Sequence, residues 1–381
     1  MEVLFEGVMN LRWQSFIMYA IGGILIALAI KKEYEPMLLL PIGFGAILVN
    51  LPLSAVREYE GDRGVLQVFY DIGIATDIFP VLIFVAVGAM IDFSPLLKNP
   101  KMFFLGAAAQ FGIFATIVFV VLIAPLFPVL EIDLKAAAAI GVIGTADGPT
   151  SIFVAARFAP HLLAAIAVAA YSYMALVPII QPPVIRLLTT KKERLIRMDY
   201  SDQEISGTAV ILFPILVTAV SGILAPVSVP LVGMLMFGNL IRESGVLERL
   251  SKSAQNELAN LVTLLLGITI GSTMHYEDFL NPTTLFILVL GLVAFIFDTA
   301  GGVLFVKFLN LFSNTKINPM VGAAGISAFP MSARIVHKMG QQEDPHNYLL
   351  MPAVSANVAG QVASAIAGGV VLAVVPWLLG G

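Results

Sequence analysis

Twelve apolar runs follow one another along the chain, near 15–30, 37–52, 66–92, 101–128, 134–158, 161–188, 207–225, 227–242, 258–274, 283–312, 318–338 and 347–379, separated by Pro, Gly and short charged clusters. Runs of this length predict helices. A bilayer core about 30 Å thick takes roughly 20 apolar residues per spanning helix, so the chain accommodates on the order of ten to twelve crossings. The expected fold is an all-α polytopic membrane protein, with residues 1–381 forming a single membrane domain. Composition agrees: 59% of residues are hydrophobic, 12% are charged and the mean hydropathy is +0.93, which a water-soluble domain could not carry without large exposed apolar patches.

The polar residues orient this pattern. The main interruption, Arg186 to Gln203, contains Lys191, Lys192, Arg194 and Arg197, and the positive-inside rule places it in the cytoplasm with the basic loop Arg242 to Lys252. If every run crossed once, Lys31, Lys32, Lys98 and Lys101 would face outward, so at least one run is expected not to cross. The runs concerned are 66–92, which carries Asp71 and Asp77, and two runs broken by Gly and Pro. The net charge of -4 is scattered over loops, which argues against nucleic acid or a polybasic lipid anchor. With no cysteine, disulfides, thiolate metal sites and thiol catalysis are excluded. The start, Met1 to Arg12, is not a basic leader, and the run reaching Ile30 lacks a small-residue cleavage site, so a first helix is expected there.

The two halves echo one another. Pro41-Ile-Gly-Phe-Gly-Ala-Ile-Leu-Val-Asn50-Leu answers Pro230-Leu-Val-Gly-Met-Leu-Met-Phe-Gly-Asn239-Leu, and Val85 to Gly88 through Asn99-Pro100 answers Ile268 to Gly271 through Asn281-Pro282. A third pair sets Gly144-Thr-Ala-Asp147-Gly-Pro149-Thr-Ser151 against Gly325-Ile-Ser327-Ala-Phe-Pro330-Met-Ser332. The expected organisation is an internal repeat, about 15–188 and 207–379, joined by the basic loop 186–206. Gly/Pro-interrupted helices at matching positions are the signature of secondary transporters, whose ions bind where two broken helices meet near the midplane. Inverted topology is the expected relation, although the sequence by itself also fits a parallel one.

Broken helices leave backbone groups without partners in a medium that supplies none. Asp147 lies beside the first break, and a carboxylate at that depth calls for a cation, a proton or a cluster of donors. Carboxylate and carbonyl oxygens suit a hard cation such as Na+. The bland alternative is that Asp147 only caps the following half-helix through the Thr150 and Ser151 amides. The second break is neutral, offering Ser327 and Ser332, with Asn318 before it and Arg334 after it. Asn357, in the last apolar run, is either an oxygen donor to that cluster or an ordinary interhelical hydrogen-bonding residue. Arg334 is either a snorkelling cation or a carboxylate-binding one. Tyr173 can donate a hydrogen bond or relay a proton inside the helix after the first break. Asp298 is a second intramembrane acid, with Thr299 and Gly301-Gly302 pointing to helix packing. His161, His275, His337 and His346 are dispersed without metal-ligand spacing, and no P-loop, nucleophile elbow or dinucleotide fingerprint occurs.

The motif Gly144-Thr-Ala-Asp147-Gly-Pro-Thr-Ser-Ile, the tyrosine in the next helix, and Asn318-Pro-Met-Val-Gly322-Ala-Ala-Gly-Ile-Ser327-Ala-Phe-Pro-Met-Ser-Ala-Arg334 together resemble the β subunits of oxaloacetate, methylmalonyl-CoA and glutaconyl-CoA decarboxylases, over nearly the whole chain. The resemblance implies a membrane subunit that decarboxylates carboxybiotin delivered by a partner, takes up a proton and couples the reaction to Na+ export across the inner membrane. It implies Asp147, Asn318, Gly322, Ser327 and Asn357 as Na+ positions, Asp147, Tyr173 and Arg334 as catalytic ones, and Arg334 as a carboxybiotin contact. No Met-Lys-Met biotinylation motif or carboxyltransferase domain is present, so the implied partners are an alpha-type carboxyltransferase subunit, a biotin carrier subunit and a small membrane subunit, with more than one copy of this chain in the complex. The chain is shorter than the oxaloacetate members, which implies an acyl-CoA decarboxylase. A plain Na+/H+ antiporter or Na+/carboxylate symporter would share the duplication, both breaks and Asp147; the long Asn318-to-Arg334 motif separates the two readings.

Overall fold

The structure, a computed structural model, describes residues 7–59, 61–130, 132–198 and 204–380. Residues 199–203 of the linker and Met1 to Glu6 of the start fall outside the described residues. Helices occupy all twelve apolar runs. In chain order they are α1 (Trp13–Lys32), α2 (Pro36–Val49), α3 (Ile78–Met90), α4 (Pro100–Leu126), α5 (Leu134–Thr145), α6 (Gly148–Phe158), α7 (Pro160–Leu188), α8 (Gly207–Leu224), α9 (Val229–Glu243), α10 (Ala259–Ser272), α11 (Pro282–Phe312), α12 (Pro319–Ala323), α13 (Met331–Glu343) and α14 (Leu350–Leu378). A two-residue β-hairpin, Glu58–Tyr59 with Asp62–Arg63, lies in the loop after α2.

Among the described residues six helices, α1, α4, α7, α8, α11 and α14, are long and apolar enough to cross a membrane. The 66–92 run forms Val65–Ile74 and α3, bent by 62° about Thr76 and Asp77. At roughly 1.5 Å per residue, the 14 residues of α2 reach about 21 Å, short of a bilayer core. Such short elements are held by close backbone packing. Added Cβ atoms at Gly88 and Gly238 would stand 1.8 Å from the Leu235 carbonyl oxygen and 2.0 Å from that of Val85, so only glycine lets α3 and α9 approach. α14 is buried along most of its length, whereas α8 is buried along little of it.

Contacts between elements fix which end each helix starts from. Asn239 Nδ2 donates to the Ile91 carbonyl at 3.0 Å, Arg242 Nη1 to that of Met90 at 2.7 Å, and Ser355 Oγ to that of Pro95 at 2.8 Å. Arg194 pairs with Glu343 at 2.6 Å, Arg197 with Asp344 at 2.6 Å, and Lys307 with Glu193 at 3.2 Å. Residues 90–101, 186–197, 242–252 and 338–350 therefore share one end. α2 and α10 run parallel, Gly267 packing on Leu38 and Pro41 while Asn50 donates to the Met274 carbonyl at 2.8 Å. This puts Lys31 and Lys32 at the basic end as well, which removes the charge conflict.

The two Gly/Pro-broken runs do not cross. α4 leaves the basic end and α7 returns to it, so α5 and α6 between them enter and leave by the opposite end. α11 arrives at the basic end, where Lys307 Nζ donates to the Leu188 carbonyl at 3.0 Å, and Glu343 closing α13 is there too. Hence α12 and α13 enter and leave by the basic end. The protein holds two helical hairpins dipping inward from opposite sides.

Candidate functional site

The first hairpin turns at a 3-10 segment, Ile143–Thr145, followed by Ala146 at φ 52° and by Asp147 in extended conformation at the N-cap of α6. Pro149 falls in the first turn of α6, where no backbone donor is missed. The turn satisfies itself: Thr145 Oγ1 donates to the Val142 carbonyl at 2.9 Å and accepts from the Asp147 amide at 3.1 Å, and Ser151 Oγ donates to the Asp147 carbonyl at 2.9 Å. Asp147 is 5% exposed. Its Oδ2 accepts from Thr150 Oγ1 at 2.8 Å and from Ser364 Oγ at 2.7 Å; its Oδ1 faces the Thr150 amide at a long 3.5 Å. The capping alternative is thus geometrically present. A cap needs one acceptor and no charge, whereas this carboxylate gathers two further hydroxyls and has no ion pair among the described residues.

The second hairpin turns over Ala324 to Pro330, with a cis Phe329–Pro330 peptide. Its loose carbonyls are met by side chains of other helices. Gln181 Nε2 of α7 donates to Ala323 at 2.8 Å, Gln110 Nε2 of α4 to Gly325 at 3.4 Å, Asn357 Nδ2 of α14 to Ile326 at 2.6 Å, and Gln361 Nε2 of α14 to Ser327. Ser332 Oγ donates to Gln181 Oε1 at 2.9 Å, and Ser327 Oγ to the Gly360 carbonyl at 2.9 Å. The two tips touch through one bond, the Ser327 amide donating to the Thr145 carbonyl at 2.9 Å.

Asp147, Ser327 and Asn357 are therefore brought to one junction. α14 runs beside it, and its Asn357, Gly360, Gln361 and Ser364, spaced three and four apart, form one face. Asn357 Oδ1 is buried there without a partner. A carboxylate with two hydroxyls is one oxygen group suited to a hard monovalent cation, and the orphan Asn357 oxygen, two helical turns or about 10 Å along α14 from Ser364, is a second, separate one.

The other expected positions stand apart from the junction. Asn318 spends its side chain at the basic end, Nδ2 donating to the Arg194 and Ile196 carbonyls at 2.9 and 2.8 Å and Oδ1 capping Met320 at 3.0 Å. Gly322 packs on Gly302, where a Cβ would lie 2.1 Å from the carbonyl oxygen. Tyr173 faces α11, its hydroxyl donating to the Leu288 carbonyl and its ring lying against Gly291. It is Tyr171 that lies on the Asp147 turn: its buried, unpartnered hydroxyl stands 2.7 Å from where a Gly148 Cβ would be. Arg334 is exposed on α13 and has no ion pair among the described residues. Ser364, Gln181 and Gln110 are partners the motifs did not flag, although the polar stripe Asn357, Gln361, Ser364 in an apolar helix was a signal for the first.

A multi-pass, all-helical membrane protein whose two broken hairpins meet around a buried carboxylate defines the class. The family profile described as Na+-transporting oxaloacetate decarboxylase beta subunit matches residues 14–375, and the chain belongs to that family. It is 50% identical to the glutaconyl-CoA decarboxylase subunit beta of Acidaminococcus fermentans, covering 97% of this chain and 96% of that one. It is 50% identical to the methylmalonyl-CoA decarboxylase subunit beta of Veillonella parvula, over 94% and 92% of the two chains. The oxaloacetate decarboxylase beta chain of Klebsiella pneumoniae is 46% identical over 96% of each. The chain is thus the β subunit of a sodium-transporting decarboxylase, a multi-subunit enzyme.

Proposed function

We propose that this subunit removes the carboxyl group of carboxybiotin, presented by a carrier subunit at the basic, cytoplasmic end, takes up one proton, and exports Na+ held at the junction of the two hairpin tips. The observation that carries the reading is the junction itself: Asp147, with its two hydroxyl donors, and the unpaired Asn357 Oδ1, joined across the Ser327–Thr145 bond. Entering from opposite ends, the hairpins can expose one ion site to either side in turn. A polar cavity of about 210 Å³, lined by Arg57, Gln67, Tyr70, His161, Ser272 and Thr273, opens at the far end and suits the outward release path. Arg334, exposed and unpaired on the hairpin that opens to the basic end, is the group for the carbamate carboxylate. Loss of CO2 from biotin leaves a nitrogen anion that needs a proton. Each exported charge costs about 2.3 kcal/mol per 100 mV, so proton uptake and site reorientation must be tied together.

The proposed substrate partner is an acyl-CoA carboxyltransferase. The alignment with the oxaloacetate relative runs to 418 positions against 370 and 357 for the two acyl-CoA relatives, so this chain lacks segments that the former carries. An internal inverted repeat is part of the proposal. In its favour, Asn50 donates to the Met274 carbonyl and Asn239 to that of Ile91, so the matched asparagines make matched bonds into opposite halves. The deciding experiment is biotin-dependent CO2 release by the purified complex with and without Na+. Release that ignores Na+ in the wild type would refute the reading.

A further inference from the structure

Asp298 takes no part in the junction, yet it is the most enclosed acid among the described residues. It sits midway along α11, which crosses α4 antiparallel, and its residue exposure is 0%. Neither carboxyl oxygen finds a donor at hydrogen-bonding geometry. A Cβ on Gly112 would stand 2.2 Å from Oδ1, and one on Gly144 2.6 Å from Oδ2, so the backbones of α4 and the first hairpin clasp the group from two sides. The amides of Gly112 and Ile113 lie against it, just after α4 loosens at Gln110. Thr116, one turn beyond Gly112, and Thr299 are also fully buried with unpartnered hydroxyls. The displacement that carries Asn99-Pro100 onto Asn281-Pro282 carries Thr116 onto Asp298, so this is the crossing of two matched spans.

Packing decides what can neutralise this acid. A metal ion needs several oxygens around it, and the glycine backbones fill that space; a proton needs no room. Ionised in the closed structure, the carboxylate would be a charge without water and without an ion pair among the described residues, which a membrane interior disfavours. Helix packing alone could be served by asparagine, which has the same shape and never charges.

We propose that Asp298 is a proton-binding site of the translocation cycle, holding its proton while α4, α11 and the first hairpin are closed on it and releasing it to water only when they part. The step is the making or breaking of one carboxyl O–H bond. Because Gly144 lies three residues before Asp147, separation at Asp298 displaces the turn that holds the ion. The inference rests on the ion-translocating reading above. Titratable groups on the elements packed against Asp298 are few. They are Lys101 at the start of α4, Asp133 and Lys135 at the start of α5, Asp147 beyond Gly144, Arg157 near the end of α6, which is engaged by Asp77, His161, Tyr171, Tyr173 and Arg186 on α7, and Lys307 on α11, which is engaged by Glu193.

The test is pH-difference infrared spectroscopy of the intact complex in lipid. Wild type and Asp147→Asn are expected to lose a protonated-carboxyl carbonyl band as pH rises, and Asp298→Asn to lack that band. No such band in wild type, or its persistence in Asp298→Asn, overturns the proposal. If Asp298→Asn does not assemble, carbon-13 labelling of aspartate in Asp147→Asn replaces it: a label-shifted band supports the proposal and none overturns it. Na+ titration of CO2 release adds a second reading. Half-saturation in wild type is expected to move by up to about tenfold per pH unit, and in Asp298→Asn by less than about threefold; a wild-type slope in the variant rejects the coupling. Retained Na+ dependence in Asp147→Asn would instead strike the junction and leave the infrared result standing.

Discussion

The two hairpin tips meet at one point but are held in opposite ways. The first satisfies most of its own broken backbone with Thr145, Ser151 and Asp147, taking from outside the Ser364 hydroxyl of α14 and the Ser327 amide of the other tip. The second relies on amide side chains from α4, α7 and α14, which reach the Ala323, Gly325, Ile326 and Ser327 carbonyls. Charge follows the same division, since the acid is on the self-contained tip and the neutral tip is wired into its surroundings. A tip that carries its own partners can rearrange when an ion arrives or leaves. One whose partners sit on three other helices moves only with them, which suits the element that must transmit the change.

Substitutions can break or sharpen this contrast. Asp147→Asn keeps the cap and removes the charge, so Na+-stimulated decarboxylation should fall by more than about a hundredfold while the complex still assembles. Near-normal, Na+-dependent turnover would show that the charge is dispensable and the tips equivalent. Ser364→Ala removes one of two hydroxyls from Asp147 Oδ2; the Na+ concentration for half-maximal rate should rise about tenfold. On the other tip, Gln181→Leu leaves the Ala323 carbonyl with only the longer Ser332 Oγ donor at 3.2 Å and takes away that hydroxyl's own acceptor, and thermal unfolding in detergent should show a loss of about 1–3 kcal/mol with Na+ half-saturation unchanged. A shifted Na+ requirement without destabilisation would reverse the assignment of roles. Ser327→Ala should raise the Na+ requirement by about threefold with folding retained, since its hydroxyl is bonded to Gly360 and the residue reaches the first tip through its amide on Thr145.

The smallest effect concerns the brace behind the second hairpin. Partial burial pushes the Glu193 carboxyl up, but the Thr190 amide and hydroxyl and Lys307 outweigh it and hold it below its usual value. Its stabilisation is therefore fully present above the ordinary glutamate range and lost as pH falls through the lowered value. Amide exchange in residues 190–198 should speed up over that acid window while the first hairpin is unaffected. Equal acceleration in both hairpins would indicate general loosening.

Much of this was legible in the sequence because bilayer helices announce themselves by length and apolar content, and their breaks by Gly and Pro. All twelve runs are helical, and Asp147, Ser327 and Asn357 lie on the elements that meet at the junction. What composition could not convey is direction. Whether 134–158 crosses or turns back depends on where α4 and α7 end, which only packing decides. Helix rotation was equally hidden: Tyr171 and Tyr173 are two residues and some 200° apart on α7, so one reaches Gly148 and the other α11. Asn318 carries the chemistry of an ion ligand, but its amide is taken by the carbonyls of a loop 120 residues earlier, a pairing no local pattern displays.

The crossed asparagine bonds have a consequence for biogenesis. Asn50 finds its acceptor at Met274 and Asn239 at Ile91, so each half completes its own short helices only with the other present. Severed after residue 198, the polypeptide would give two fragments that each insert yet stay unfinished, and activity should return only when both are synthesised in the same cell.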